Sequence, residues 1–465
     1  MTTTTDALET YLEANRDRRL ASYEAFLRIP SVSALPEHAG DCRRAAEFLA
    51  DELRTMGVEH VDVAETGGHP LVYGDWLRAE GAPTVLVYGH YDVQPPDPID
   101  EWEKAPFEPL VRDGRMLARG AADDKAQVHM HLRATEALLA TRGRLPVNLR
   151  FLFEGEEEST SLNLDRWLRD NRDRLAADLA VISDTGFFEG NLPAITLGLR
   201  GITYLQVDVL GTPVDLHSGV YGGSVQNPAN ALAHIIAALK SLDGRILVPG
   251  FYDDVLPLSD EDRRAFAALP FDQEAFREEL GAAALVGEPR YTTLERRGAR
   301  PTLDVNGIWG GFQGEGAKTI IPASAHAKIS SRLVVNQDPD TIYELMRDHI
   351  LRVAPEGVRV EVSHLGGGLP SLTPMDHPAT QAAVRALEAT FGQRPLFIRE
   401  GGSIPVCASF SSILGLPVVL LGFANPDCNA HAPNESMILA NYETGIRTIA
   451  RYWDELAAIP NDLSA

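Results

Sequence analysis

The stretch Thr84-Val-Leu-Val-Tyr-Gly-His-Tyr-Asp92 decides the fold of this chain. Its apolar run, residues 85–88, is typical of a fully buried strand of an α/β sheet. His90 and Asp92 follow where such a strand reaches its carboxyl edge, and open α/β sheets bind ligands at that edge. One ring nitrogen of a histidine placed there can bind a metal while a nearby carboxylate orients the ring. The pair alone is weak evidence, because a His-x-Asp sequence after a strand is more often an ordinary loop.

Three later segments place acidic side chains in the same position. Asp123 and Asp124 follow a glycine and two alanines at the start of a predicted helix, where a capping role competes with metal binding. One predicted strand runs into the acidic segment Glu154–Glu158, and another ends at Asp184. Carboxylates this close repel one another unless a cation or a shared proton lies between them. The four strand ends together therefore predict a metal site.

Composition limits the classes of protein that the chain can be. The chain has 465 residues, of which 44% are hydrophobic and 23% charged, which indicates a globular protein of two domains. Its net charge of -24 would repel nucleic acid and anionic membranes, so neither is expected as a partner. Three cysteines without metal-ligand spacing favour a reducing compartment. With no signal sequence and no apolar run of about 18 residues, the sequence predicts a cytoplasmic protein.

The alternation of strands and helices predicts an α/β fold with an interrupted first domain. Residues 1–200 and 369–465 form the predicted catalytic domain that carries the acidic strand ends. Between them, residues 201–368 again alternate strand and helix, but no acid follows those strands. This predicts a smaller inserted α/β sandwich, with a hinge near His364–Pro374 leading back. Residues 241–300 are charged and predicted to be irregular.

The candidate ligands suit two divalent cations. They are the imidazoles of His90 and His431 and the carboxylates of Asp123, Asp184 and the glutamate run. By ligand type, zinc, manganese and cobalt are all candidates. His431 is isolated in the sequence, and such a histidine is more often not a ligand. A carboxylate that binds no metal could act as a general base.

Segments spread over most of the chain resemble, in order, the M20 metallopeptidases, and above all their carnosine-dipeptidase branch. The matching segments are Gly89–Pro95, Arg119–Lys125, Glu154–Ser159, Ser183–Asp184, Asp215–Gly219, Lys318–Pro322, Ser331–Leu333, Glu400–Pro405 and Ala430–His431.

The resemblance implies a two-metal hydrolase, with zinc as the first candidate metal, that cleaves the peptide bond of dipeptides. A water bridging the metals would be the nucleophile, Glu157 its general base, and Asp92 the residue that braces His90. The implied ligands form two groups around one shared carboxylate: His90 and Asp184 on one ion, Glu158 and His431 on the other, and Asp123, in a cis peptide with Asp124, on both.

The resemblance also assigns roles in the inserted domain. His217, which alone would be interpreted as a turn residue, would reach the site of the partner subunit in a homodimer joined through this domain. There it would bind the substrate and stabilise the oxyanion of the tetrahedral intermediate. Thr319, Arg332 and Ser403 would hold the terminal carboxylate of a small peptide substrate.

Two departures and two rival interpretations stand beside this prediction. Thr160 occupies a position where the family often has glycine, and residues 366–369 lack a histidine that carnosinase-like relatives tend to have, which leaves the preferred dipeptide open. The first rival is an N-acyl amino acid amidohydrolase or carboxypeptidase of the same family. In the family that the chain resembles, aspartate at the position of Asp184 goes with aminopeptidases and dipeptidases, and glutamate with carboxypeptidases and deacylases, which favours the dipeptidase. The second is a non-catalytic protein, which would have lost Glu157 or a ligand, and none is lost.

Overall fold

This computed structural model describes residues 4–402 and 404–459, so Ser403, a predicted substrate ligand, lies outside the described residues. The chain divides into two compact units. Unit 1 comprises Met1–Leu197, Thr373–Ile398 and Pro405–Ala465, and unit 2 comprises Gly198–Leu372 and Arg399–Ile404. An insertion with its own core thus interrupts the first unit.

Helices and strands both occur along the whole chain. The helices are α1 Thr4–Ala14, α2 Arg16–Leu27, α3 Ala39–Thr55, α4 Lys125–Arg142, α5 Leu164–Asp170, α6 Ser218–Tyr221, α7 Pro228–Leu239, α8 Asp260–Ala268, α9 Gln273–Glu279, α10 Thr293–Ala299, α11 Pro339–Val353, α12 Pro378–Phe391, α13 Pro405–Ser409 and α14 Leu439–Ala457. The strands are β1 Glu59–Ala64, β2 Leu71–Trp76, β3 Thr84–His90, β4 Leu110–Arg112, β5 Arg115–Leu117, β6 Asn148–Glu154, β7 Leu179–Ile182, β8 Ala194–Leu199, β9 Gly201–Leu210, β10 Leu216–His217, β11 Thr302–Gly310, β12 Ile320–Ile321, β13 Ser324–Leu333, β14 Arg359–Gly368, β15 Ser371–Leu372, β16 Leu396–Glu400, β17 Val418–Leu420 and β18 Ser436–Ile438.

Unit 1 is built on a mixed sheet with the strand order β1-β2-β6-β3-β7-β17-β8. Its centre is parallel, since β3 pairs in parallel with β6 and β7, and β17 with β7. Residues 85–90 of β3 are all buried, as their apolar run predicts for a central strand. Parallel strands deliver their carboxyl ends to one edge, so the segments that follow β3, β6 and β7 meet there.

Unit 2 is a four-stranded antiparallel sheet in the order β11-β13-β9-β14. Alternate residues of β9, among them Leu205, Val207 and Val209, are buried in a common core with apolar residues of α7 and α11. Ile202 and Tyr204 are only partly buried, because they point to the opposite face. The predicted smaller α/β insertion is therefore confirmed as a sheet with helices packed on one face.

The structure corrects several local predictions. The apolar spacing of residues 4–27 predicts one amphipathic helix, but the segment forms two helices, α1 and α2, separated at Asn15. Residues 241–300 contain α8, α9 and α10, and capping boxes at Ser259 and Thr292 begin two of them. That signal, Ser or Thr followed three residues later by an acid, was present in the sequence. The first half of the predicted hinge belongs to β14, which continues to Gly368.

A helix that crosses a membrane must be both long and apolar. Within residues 4–402 and 404–459, no helix combines the two properties to the required degree.

Candidate metal centre

The fold brings the predicted ligands of unit 1 together at one edge of the sheet. His90 ends β3, and its register partner on β6 is Glu154, the first residue of the acidic run. Tyr88 pairs with Ile182 on β7, so Asp184 leaves its strand level with His90. Asp123 lies just before α4. Pairing of β18 with β5 brings the loop that carries His431 to the same place.

These side chains form two groups that share Asp123. One oxygen of Asp123 lies 3.0 Å from His90 Nε2, and the other lies 3.0 Å from His431 Nε2. Asp184 Oδ1 is 3.8 Å from His90 Nε2, and Glu158 Oε2 is 3.4 Å from His431 Nε2. Within each group of three, the ligand-type atoms all lie within 4.8 Å of one another. The Asp123–Asp124 peptide bond is cis.

The electrostatics of the cluster fit cations. Burial raises the pKa of Glu157 to about 9 and that of Glu158 to about 7, and it also raises the pKa of Asp184. Burial would raise the pKa of Asp123 as well, but hydrogen bonds from His431 and His90 outweigh it and hold that pKa below its ordinary value. Glu157, Glu158 and Asp184 thus resist ionising together without added positive charge, and two divalent ions would supply that charge. Imidazole and carboxylate donors suit zinc, manganese or cobalt.

Asp92 contacts both His90 and the acidic loop. His90 Nδ1–H donates to the backbone oxygen of Asp92 at 3.0 Å, and its nitrogen lies 3.4 Å from the Asp92 carboxylate. With the proton on Nδ1, a neutral imidazole would offer the Nε2 lone pair to a metal in place of the hydrogen bond to Asp123. The Asp92 carboxylate accepts the amides of Glu157 at 3.3 Å and Glu158 at 3.1 Å. One buried aspartate therefore orients a histidine ring and the loop that carries two glutamates.

The four acids of the run 154–158 have different environments. Glu154 accepts the Tyr88 hydroxyl at 2.5 Å inside the core. Glu156 accepts both hydrogen bonds of the Asn163 amide, at 3.2 and 2.9 Å. Glu158 faces His431, whereas the Glu157 carboxylate forms no hydrogen bond with the described residues. Two of the acids are thus structural, which the sequence did not distinguish.

Sequence reasoning missed two residues that support the centre. Gln94 Nε2 donates to Glu158 Oε2 at 2.7 Å, and Glu435 is a buried acceptor for the turn that ends at Asp123. Both lie inside or beside motifs that were already recognised, Gly89–Pro95 and Ala430–His431. Neither has a distinguishing local pattern. The helix-capping interpretation of Asp123 and Asp124 is wrong, because neither carboxylate accepts a capping hydrogen bond at the start of α4.

Gly89 must be glycine because of the two side chains beside it. A methyl group at this position would lie 2.5 Å from Val128 Cγ2 and 2.7 Å from Asp124 Oδ2. We expect Gly89→Ala to lower the free energy of unfolding by about 1–3 kcal/mol, the usual cost of overpacking a core. Urea unfolding would measure the change. In the control Gly40→Ala, the added methyl has open space around it, and equal destabilisation of both variants would contradict the steric explanation.

The predicted substrate residues of unit 2 lie on two elements. His217 and Ile320 pair across the short ribbon of β10 and β12, and the Ser218 amide donates to the Thr319 oxygen at 3.1 Å. His217 is exposed, and its Nδ1 accepts the Gly219 amide at 3.0 Å. Arg332 lies on β13 opposite Ile202 of β9. Thr319 and His217 therefore lie close together at the ribbon, whereas Arg332 lies on the four-stranded sheet of unit 2.

A mixed α/β sheet whose strand ends gather imidazoles and carboxylates around one shared aspartate is typical of a metallohydrolase. The chain belongs to peptidase family M20/M25/M40, whose family model matches residues 86–455. It is 34% identical over 469 residues to a Cys-Gly metallodipeptidase of Schizosaccharomyces pombe, covering 98% of each chain. It is 32% identical over 466 residues to the human beta-Ala-His dipeptidase, covering 97% of this chain and 92% of that one. Within the family, the chain is a metallodipeptidase.

A solved structure shows the same fold. The M20 family metallo-carboxypeptidase Sso-CP2 from Sulfolobus solfataricus superposes with a TM-score of 0.82 at 33% identity, covering 95% of this chain and 99% of that one. The predicted family and fold class are confirmed.

Proposed function

We propose that this protein hydrolyses the peptide bond of dipeptides with two divalent metal ions, zinc being the first candidate and manganese or cobalt the alternatives. The observation that carries the proposal is the position of Asp123 between His90 and His431, 3.0 Å from each imidazole. Glu157, the neighbour of the proposed ligand Glu158 in the sequence, forms no hydrogen bond with either imidazole. His90, Asp123 and Asp184 would hold one ion, and Asp123, Glu158 and His431 the other.

When bound, the ions would polarise the scissile carbonyl and supply an activated water. The chain's own groups do the rest. Glu157, held by its amide on Asp92, would take the proton of the attacking water and then return it to the leaving amine. Asp92 would keep the base and the His90 ring in a fixed relation, which limits the reorganisation needed during the reaction.

His217 is proposed to stabilise the oxyanion in the site of the partner subunit. Its Nδ1 accepts the Gly219 amide, so the neutral imidazole carries its proton on Nε2. A donor of this kind is what a developing oxyanion requires. Asp215 supports the loop by accepting the Ala323 amide at 2.9 Å. Thr319, Arg332 and Ser403 are proposed to bind the substrate carboxylate, for which a guanidinium fork is suited.

The organisation proposed with this mechanism is a catalytic domain of residues 1–200 and 369–465, and a lid and dimerisation domain of residues 201–368. A homodimer in the cytoplasm is part of the same proposal. The cytoplasmic location is supported by the three free cysteines, Cys42, Cys407 and Cys428, because a reducing compartment keeps thiols reduced. The homodimer is supported by the position of His217 in unit 2, since every proposed metal ligand is in unit 1.

The substrates named for the relatives, Cys-Gly and beta-Ala-His, are the first dipeptides to test. The second candidate function is that of a carboxypeptidase, which the similarity to Sso-CP2 over 95% of this chain favours. A panel of dipeptides, N-acyl amino acids and longer peptides distinguishes the two functions. We expect the highest kcat/KM for a dipeptide. Faster removal of a C-terminal residue from longer peptides would support the carboxypeptidase instead.

Removal of metal should abolish activity, because the proposed chemistry has no other Lewis acid. We expect protein dialysed against a chelator to lose dipeptide hydrolysis. Adding zinc, manganese or cobalt should restore it, and the metal content of the protein measured alongside identifies the native ion. Full activity in protein shown to be free of metal would refute the two-metal mechanism.

A further inference from the structure

Glu435 is a buried carboxylate with an unusual set of donors. Its side chain is fully inaccessible, and one oxygen accepts Arg119 Nη1 at 2.8 Å and the Gly120 amide at 2.9 Å. The other oxygen accepts the Ala122 amide at 2.7 Å and the Asp123 amide at 3.0 Å. Four donors from one turn thus converge on a single side chain that lies more than 300 positions away in sequence.

The turn needs this acceptor because its backbone is irregular. Residues 118–122 are buried and lie between β5 and α4, outside any helix or sheet. Gly120 has φ +83, so its turn directs successive amides inward. Buried amides without acceptors are costly, and three of them donate to Glu435. The backbone oxygen of Glu435 also accepts the Ala118 amide at 3.1 Å, in line with the β5–β18 pairing.

Arg119 makes the burial of this charge tolerable. Only 1% of its side chain is exposed, and it forms an ion pair with Glu435 inside the protein. Its other terminal nitrogen donates to the Pro95 oxygen at 3.3 Å, and the guanidinium lies over the Trp102 ring at 5.4 Å. Breaking one partner of such a buried pair leaves an uncompensated charge, which is strongly destabilising.

We propose that Glu435 is a positioning residue that fixes the relation between Asp123 and His431, and so sets the metal affinity of the centre. It holds the amide of Asp123 directly, and it follows His431 by four residues on the segment that carries that imidazole. One carboxylate thereby ties the shared ligand to a ligand from a distant part of the chain. The inference rests on the metal centre proposed above, and its test must separate the two.

The test is metal binding by the Glu435→Gln variant. Glutamine has the same size, but only its oxygen can accept. Its NH2 group must therefore face donors, either Arg119 and Gly120 or the amides of Ala122 and Asp123, and the charge of Arg119 loses its counterion in both orientations. Loss of such an outer partner typically weakens metal affinity by about 10–100-fold. Calorimetric titration of Co²⁺ into the metal-free protein, with the visible absorption of bound Co²⁺ as a second signal, measures this without relying on turnover.

Glu295→Gln is the matched control. Glu295 is also buried, accepting Arg263 Nη1 at 2.8 Å and the Thr292 amide at 2.7 Å, but it belongs to unit 2. We expect this variant to lose stability while its Kd for Co²⁺ stays that of the wild type. Equal Kd values for Glu435→Gln and wild type would overturn the proposal. If wild type itself bound no Co²⁺, the proposed metal centre would be wrong instead.

Glu435→Asp keeps the test decisive should the glutamine variant not fold. Aspartate retains the charge for Arg119 but withdraws the oxygens by one methylene from the amides of Ala122 and Asp123. We expect a folded protein whose Co²⁺ affinity is again reduced by about 10-fold or more. A folded Glu435→Asp protein with wild-type affinity would show that the geometry of this contact does not govern metal binding.

Discussion

Glu157→Gln should lower kcat by about 10²–10⁴-fold while leaving the metal content and the fold unchanged. The glutamine amide has the shape of the carboxylate but cannot accept the proton of the attacking water. The backbone N–H of residue 157 still donates to the Asp92 carboxylate, so the loop keeps its position. Steady-state kinetics on a dipeptide, with metal analysis of the same sample, measures both quantities.

Glu156→Gln is the control for this variant. Glu156 precedes Glu157, but its carboxylate accepts the Asn163 amide and the His69 backbone amide, so it has no proposed part in the reaction. Its substitution should leave kcat within a few-fold of the wild type. If Glu157→Gln instead lost metal and kept a high residual rate, the roles of Glu157 and Glu158 would have been assigned the wrong way round.

His217→Ala should reduce kcat severely while metal binding and the dimer persist. The reason is that His217 belongs to unit 2 and is exposed, so its replacement would remove the proposed oxyanion donor without disturbing the proposed metal ligands or a core. Loss of one such donor typically costs about 10²–10³-fold in kcat. His234→Ala, an exposed histidine on α7, is the matched control and should retain normal turnover.

Mixing the two inactive proteins tests whether His217 acts on the partner subunit. After subunit exchange, a heterodimer of His217→Ala and Glu157→Gln chains would contain one site with both defects and one site with neither. Each heterodimer should then have half the rate of a wild-type dimer, or about a quarter overall for random exchange of equal amounts. Proven exchange without recovered activity would show that His217 acts within its own subunit, or not at all.

The sequence by itself determined the α/β class, the insertion and the set of side chains that meet at the sheet edge. Each proposed ligand of β3, β6 and β7 follows an apolar run, and parallel pairing of these strands necessarily brings their ends together. Such information is local, because a strand and the residue after it are neighbours in the chain. His431 has no such pattern, because it is a single histidine in a loop, and its assignment to the second ion came only with the family resemblance.

Only the tertiary structure decided which polar groups support the ligands. Asp92 contacts the amides of Glu157 and Glu158 in addition to His90, and Glu154 faces Tyr88 rather than the ligands. Glu435 meets the turn before Asp123 across more than 300 residues of chain. No periodicity records these contacts, because they depend on the pairing of β18 with β5 and on the position of the acidic loop, which bring together residues far apart in the sequence. The buried carboxylate of Glu435 contacts Arg119 and the Asp123 amide only in the folded chain, because these groups are more than 300 residues apart in the sequence.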